Sequence, residues 1–337
     1  MITIDGSRGE GGGQVLRTAL ALSTLTGKPF CIEGIRAKRQ KPGLLRQHLT
    51  CVQAAQQICT ATVDGAEVGS GRVTFVPGAL RAGDYEWAIG TAGSTTLVLQ
   101  TVIFGLLSAE GPSHVTLRGG THNPLAPPFD FLKRSFLPLL ERMGARVSVR
   151  MEHPGFYPAG GGCIVVAIEP TKQWSPITLL SPMKVTRKQA VATVAGLSRN
   201  IAERELTALS SLLGLETSDL SVMSLRDSAS PGNVLTVDIE SSEVCEVFTG
   251  FAERGIPAET VAANLATEVR EYLAAGAPVG RYLADQLLLP LALARGGAFR
   301  TLTLSEHSTT QIETIRHFLD VTIDFAEEGQ TRIVRVS

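Results

Sequence analysis

Two hydrophobic rhythms alternate along the chain. Leu44, Leu45, Leu49, Val52, Ala55 and Ile58 recur at the spacing of one helix face, whereas Val147 and Val149, and Val321, Ile323 and Phe325, occupy every second position as half-buried strands do. Read in order, the rhythms give one arrangement three times: helix, strand, helix, strand, strand. In the first copy the pattern predicts a helix over 13–26, a strand over 30–35, a helix over 42–59, and strands over 61–63 and 72–76. The second copy reads as a helix over 94–107, a strand over 114–117, a helix over 128–143, and strands over 146–150 and 163–168. The third has a helix over 280–293, a strand over 299–304, a helix over 309–319, and strands over 321–325 and 331–336. Glycines and prolines punctuate the junctions.

Between 168 and 280 lies chain that the third copy does not need. It carries its own signals, centred on 190–197, 202–213, 234–239 and 259–274, and we assign 183–276 as an inserted domain. The expected fold class is α/β (α+β): a large domain of three repeated helix-packed mixed-sheet units, covering 1–182 and 277–337, with a smaller α/β domain inserted in the third unit. A length of 337 residues suits that division.

Composition narrows the class of function. With 44% hydrophobic and 19% charged residues the chain reads as ordered and soluble. A formal net charge of -1 excludes a globally cationic nucleic-acid binder, so any such contact needs a local basic patch. Cys31, Cys51, Cys59, Cys163 and Cys245 are scattered, odd in number and without CxxC spacing, which argues against a disulfide framework or a structural zinc site. The chain opens directly on the alternating run Met1-Ile2-Thr3-Ile4 and holds no membrane-length apolar stretch, so a cytoplasmic protein without a membrane partner is expected.

Polar outliers collect in the turn before each copy's second helix: Arg36-Ala37-Lys38-Arg39-Gln40-Lys41, Gly119-Gly120-Thr121-His122-Asn123-Pro124, and Ser305-Glu306-His307-Ser308-Thr309. Helix N-termini offer unpaired N–H groups and a positive dipole end, so such turns brought together would suit phosphates. The basic run Arg36, Lys38, Arg39, Lys41 and Arg46, followed by Gln47 and His48, would ordinarily be a solvated helix entry. No acidic residue lies between Glu33 and Asp64, however, and an uncompensated cationic patch points to polyphosphate or an RNA backbone. The glycine-dense stretch 5–14 permits close approach of an anion but matches no standard nucleotide loop; Glu10 within it could ligate Mg2+. Among the six histidines, His114 and His317 read as structural or surface groups, and His122 and His153 stay open. His307, flanked by hydroxyl residues, is the best-placed nucleophile, since neutral imidazole attacks phosphorus near neutral pH.

Several motifs together resemble one family: DGSRGEGGGQVLRTALALS, IRAKRQKPGLLRQHLT, GSTTLVLQTV, GGTHNPLAPPFDF, GFYPAGGG and VGRYLADQLLLPLAL. They are similar, in order and over nearly the whole chain, to the RNA 3'-terminal phosphate cyclases, and GFYPAGGG at 155–162 is close to a family signature. The resemblance implies ATP-dependent conversion of RNA 3'-phosphate ends to 2',3'-cyclic phosphates, with Mg2+ or Mn2+ assisting. It implies that His307 is adenylated, that Tyr282 and Pro127, with Phe131 nearby, stack on adenine, and that Asp285 and Gln100 line the nucleotide pocket. It further implies metal contact by Glu10, and contacts to triphosphate or the RNA end by Arg17, Arg36, Arg39, Gln47 and His48. Core packing is the plain alternative for Tyr282 and Phe131. The chain departs from the family pattern at His122, where Asp is usual, and in Ser-Thr-Thr-Gln-Ile after His307. Two rival readings are a non-catalytic relative acting in ribosome assembly, which lacks the adenylated histidine, and an enolpyruvyl transferase built from similar units. Oligomeric state stays open, a homodimer included.

Overall fold

A computed structural model describes residues 1–9, 11–225 and 228–337. The chain begins with β1 (Ile2–Asp5), α1 (Gly13–Thr26), β2 (Phe30–Glu33), α2 (Arg46–Cys59), β3 (Thr62–Asp64) and β4 (Arg72–Val76). These strands form a sheet in the order β1-β2-β4-β3, whose first pair is parallel and whose other pairs are antiparallel. There follow β5 (Asp84–Ala88), α3 (Thr95–Leu107), β6 (Ser113–Gly119), the short helices α4 (Phe129–Phe131) and α5 (Leu137–Arg142), β7 (Arg146–His153) and β8 (Gly162–Glu169). The sheet β5-β6-β8-β7 has the same sequence of strand directions.

After β9 (Thr178–Leu179) the chain builds β10 (Val185–Ala195), α6 (Arg199–Leu213), β11 (Leu220–Leu225), β12 (Gly232–Ser241), β13 (Cys245–Phe251) and α7 (Ala258–Ala275). It then returns through α8 (Arg281–Leu293), β14 (Gly297–Thr301), α9 (Glu306–Phe318), β15 (Ile323–Glu328) and β16 (Thr331–Val336). Strands from both sides of this excursion share one sheet, β15-β16-β14-β9, whose β9-β14 pair is parallel. The excursion itself forms the sheet β11-β10-β12-β13 and closes its own apolar core around Leu206, Leu209, Leu235, Val237, Leu265 and Val269. The protein is thus a mixed α/β fold of four-stranded mixed sheets and packed helices.

Helix α3 explains how the larger core closes. All its residues except Gln100 are buried, because α1 and α2 pack against it and the sheet β5-β6-β8-β7 covers another side. A helix apolar nearly all round is stable only in such an enclosure. Helix α1 ends where Gly27 turns left-handed at φ 69° and donates its N–H to Ser23 O at 3.0 Å, a conformation glycine adopts without Cβ strain.

Departures from the sequence-based expectation have local causes. Helix α2 begins at Arg46 rather than 42 because the preceding backbone is committed elsewhere: Leu44 N–H donates to Ser70 O at 3.0 Å and Leu44 O accepts from Gly69 N–H at 2.8 Å. The helix predicted over 128–143 is interrupted by a π turn at Leu132–Phe136, just before Pro138, which has no N–H for an intrahelical bond. Helix α9 starts at Glu306, because Ser305 caps it by accepting the Ser308 N–H at 3.1 Å; His307 therefore lies in the first helical turn. The short edge strands β1, β5 and β9 were not predicted as members of the repeating pattern.

Among the contacts that join the excursion to the rest, two involve its buried carboxylates Asp238 and Glu246. Arg134, in the π turn, donates to Asp130 at 3.1 Å and to Asp238 on β12, and Asp130 also meets His122 Nε2 at 3.1 Å. Burial pushes the Asp238 carboxyl up to about 6 despite the Arg134 charge beside it. On β13, Glu246 accepts the N–H of Gly280 at the start of α8, and burial pushes its carboxyl from 4.5 up to about 8.

Arg134→Met removes the cation between two carboxylates, and we expect a loss on the order of 3 kcal/mol in denaturant unfolding; an unchanged midpoint would show the bridge to be energetically idle. Glu246 gives a pH prediction with a definite sign. Folded protein keeps a proton that the unfolded chain has released, so this group's contribution falls as pH rises from 4.5 to about 8, with a limiting slope of about 1.4 kcal/mol per pH unit. Glu246→Gln keeps an acceptor for Gly280 and cannot ionise. Its melting temperature should fall less than that of the wild type across that range, and parallel curves would refute the assignment.

Candidate active site

The N-terminal turns of α1, α2, α8 and α9 carry half of the candidate residues: Arg17, Gln47, His48, Tyr282, Asp285 and His307. Two of these ends are tied together directly. Gln14, second residue of α1, meets His307 Nδ1 through Oε1 at 2.7 Å, and its Nε2 donates to Gln311 Oε1 on α9 at 2.8 Å. Behind His307 the turn is fixed by Asp285, a buried residue of α8. Its carboxylate accepts the Ser305 hydroxyl at 3.0 Å and also the Ser308 hydroxyl. Burial raises the Asp285 pKa, while the two hydroxyls and the nearby His307 ring oppose that shift. The loop before α1 lies close as well, since a Cβ at Gly9 would collide with the Thr310 side chain.

A second cluster sits beside the start of α1. A Cβ on Gly13 would strike the His48 ring and approach Arg17 Nη1 at 2.9 Å, so glycine is what lets these groups reach the helix end. His48 Nδ1 accepts the Leu45 N–H at 3.1 Å, which leaves the proton of the neutral ring on Nε2. Burial first, then the Arg17 and Arg36 charges, push the His48 pKa down to about 3. Burial also lowers the Arg17 pKa, and the group that opposes this is the buried Cys51 thiol rather than a carboxylate. Neutral His48 and two cations, with no acid beside them among the described residues, make this an anion-favouring corner.

The other predicted residues divide into braces and surface groups. Arg36, with φ 54°, donates to Lys41 O at 2.5 Å and Gly43 O at 3.0 Å, so its guanidinium holds its own loop. Arg39 is exposed on that loop. Gln47 Oε1 accepts the Ser94 N–H at 2.6 Å and fixes the entry to α3. Gln100 donates to Gln286 Oε1 at 2.6 Å, joining α3 to α8, and Pro127 O accepts the Thr96 hydroxyl at 2.6 Å. Tyr282, one turn before Asp285, is 54% exposed; burial of its hydroxyl and the Glu268 carboxylate push its pKa up to about 12. Phe131 is 3% exposed and belongs to the apolar core, as the packing alternative had it. Glu10 lies outside the described residues.

His122 is buried, bonded to Thr121 Oγ1 at 2.8 Å and to Asp130, and stacked on Phe156 at 5.2 Å. It is a structural group of the junction. Gln14 escaped the sequence reading, although it precedes Arg17 by three positions on α1 and that spacing places both on one face.

Comparison with known proteins agrees with the motifs. A family profile described as RNA 3'-terminal phosphate cyclase matches residues 8–325. A protein named RNA 3'-terminal phosphate cyclase from Koribacter versatilis (strain Ellin345) is 49% identical over 337 residues, covering 100% of this chain and 95% of its own. Its namesake from Ectopseudomonas mendocina (strain ymp) is 50% identical over 335 residues, covering 99% and 97%. Among solved structures, the enolpyruvyl transferase NikO from Streptomyces tendae aligns over 99% of this chain and 47% of its own, with 11% identity and a TM-score of 0.38, too slight a likeness to bear on function. A profile match over nearly the full chain, and relatives sharing about half of all positions, make this chain a member of the RNA 3'-terminal phosphate cyclase family.

Proposed function

We propose that the protein consumes ATP to turn a 3'-phosphate at an RNA end into a 2',3'-cyclic phosphate, with His307 carrying AMP between the two substrates. Family membership supports the reaction class. The observation that carries the histidine's role is its position at the joined N-termini of α1 and α9, fixed from one side by Gln14 and from behind by Asp285.

In the first step a ring nitrogen of neutral His307 attacks the α-phosphorus of ATP. A P–N bond forms as the P–O bond to pyrophosphate breaks, and pyrophosphate leaves with the bonding pair. The helix ends, Arg17 and the Nε2–H of His48 offset the charge that gathers on the phosphates. An oxygen of the RNA 3'-phosphate then displaces the imidazole and takes AMP. The adjacent 2'-hydroxyl attacks the terminal phosphorus, AMP departs, and the ring closes. Hydroxyl and phosphate share one ribose, so this last step needs orientation more than strong base catalysis.

The remaining roles follow the same reading. Tyr282 and Pro127 face adenine, with Phe131 supporting from the core; Gln100 and Asp285 shape the nucleotide pocket; Arg36, Arg39 and Gln47 border the path of the phosphates and the RNA end. Among the described residues no group of three or more His, Cys, Asp and Glu side chains could hold a metal ion. Mg2+ or Mn2+ would be held by Glu10 with the nucleotide phosphates, supplying charge neutralisation there. We further assign three repeated units, with 183–276 inserted in the third, on the strength of the three sheets that share one sequence of strand directions. A cytoplasmic setting accords with five free cysteines, and among the described residues no helix is long and apolar enough to cross a membrane.

With α-labelled ATP, the wild type should acquire acid-labile, protein-bound AMP and His307→Ala none; full labelling of the variant removes His307 from the role. Asp285→Ala frees both serine hydroxyls and lets the His307 turn drift. We expect its adenylylation rate to fall about 10- to 100-fold, and a wild-type rate in a folded variant would show that the brace is dispensable.

A further inference from the structure

The contact between Gln14 and His307 has more chemistry in it than a helix tie. A neutral imidazole carries its proton on one nitrogen and its lone pair on the other, and the partner of either nitrogen decides which. The amide oxygen of Gln14, an atom that can only accept, lies 2.7 Å from Nδ1. The Gln14 amide is itself held, because its Nε2 donates to Gln311 Oε1 at 2.8 Å and the Gln311 side chain is buried on α9. The cap of α9 does not need this contact, since Ser305 and Asp285 already secure the turn.

We infer that Gln14 is the positioning residue that sets the tautomer of His307: it keeps the proton on Nδ1 and the lone pair on Nε2, and Gln311 holds its amide in the orientation this requires. The inference deepens the proposed adenylylation and rests on it. Attack by the Nε2 lone pair forms the P–N bond, and the pair from the broken P–O bond leaves with pyrophosphate. The ring becomes an N-phosphorylated imidazolium whose Nδ1–H still points at Gln14 Oε1. That bond strengthens as positive charge develops on the ring and relaxes when AMP passes on, so no proton leaves or joins the imidazole in either half-reaction. The opposite tautomer would present N–H to phosphorus and could not attack until that proton was lost.

The test joins a spectroscopic reading to a kinetic one. Protein labelled with 15N-histidine is observed by long-range proton–nitrogen correlation without nucleotide, His307 being assigned by its loss in His307→Ala. Expected for the wild type is a protonated Nδ1 and a lone-pair Nε2, with Gln14→Leu shifting the proton towards Nε2. Single-turnover adenylylation of Gln14→Leu should slow on the order of 10- to 1,000-fold, with the KM for ATP changed less than about threefold. Gln14→Glu, which can only accept, should recover the rate to within about tenfold of the wild type. A wild-type ring protonated on Nε2, or a Gln14→Leu protein that adenylylates at the wild-type rate, overturns the inference. A wild type that takes up no label overturns the proposed reaction instead and removes this role with it, and the tautomer measurement tells the two failures apart.

Discussion

A buried carboxylate satisfied by two hydroxyls is the constraint around which the site is arranged. Asp285 lies inside the fold on α8 and satisfies its oxygens with the hydroxyls of Ser305 and Ser308. Leaving such a group unsatisfied costs a few kcal/mol at least, so the two serines are not free to move, and His307, between them in sequence, inherits their rigidity. The Asp285 side chain thus couples α8 to the start of α9. The exposed Tyr282, a single turn away on α8, is therefore held in fixed relation to the imidazole.

Electrostatics divides the site into two parts with different tasks. Among the described residues, the Gln14 amide meets the His307 ring and the Asp285 carboxylate lies near it behind the turn. Beside Arg17, among the described residues, lie the Arg36 charge, the Cys51 thiol and the His48 ring, whose depressed pKa keeps it a neutral donor near neutral pH. Arg36 contributes charge to this corner while its hydrogen bonds go to its own loop. It thus acts at short range through field rather than contact, whereas Arg17 is poised beside the helix end itself. Of the basic run visible in the sequence, Arg36 is a brace and Arg39 is exposed, while the cation beside the helix end, Arg17, comes from another helix.

Much of this was legible beforehand because hydrophobic periodicity is a local property. Helices α1 and α3 and strands β4 and β16 fall within a residue of expectation. What failed was what depends on tertiary partners. The edge strands β1, β5 and β9 are short and gain their identity from a parallel neighbour distant in sequence. The start of α2 is set by the loop at 69–70, and the interruption of the helix at 132–136 follows from Pro138, whose effect on register a periodicity count ignores. In the site, His307 stood out by chemistry and neighbours, but Gln14 could not, since a glutamine among apolar residues announces nothing until its partner arrives from 293 positions away. Phe131, which its motif sets near the adenine site, is buried in the core.

The motif that most resembles a family signature also turns out to be free of reactive groups. In GFYPAGGG, Phe156 stacks on His122, and Gly232 of β12 lies so near the ring that a Cβ there would overlap it. Phe156 forms a small core with Ala195 and Val234, on strands β10 and β12. Thr121 donates and accepts across the same corner, its hydroxyl taking the Gly155 N–H at 2.9 Å. The run of glycines lets two backbones meet where β6 ends, and the aromatic ring fills the seam to the neighbouring sheet. A sequence constraint of this kind acts on the relative placement of two bodies rather than on chemistry. The Arg134 bridge and the Glu246 contact to Gly280 act on the same boundary, and the latter ends at the first turn of α8. The helix bearing Tyr282 and Asp285 is consequently anchored at its start by β13 and along its length by α9, so the fit between the two bodies reaches the imidazole through a single rigid element.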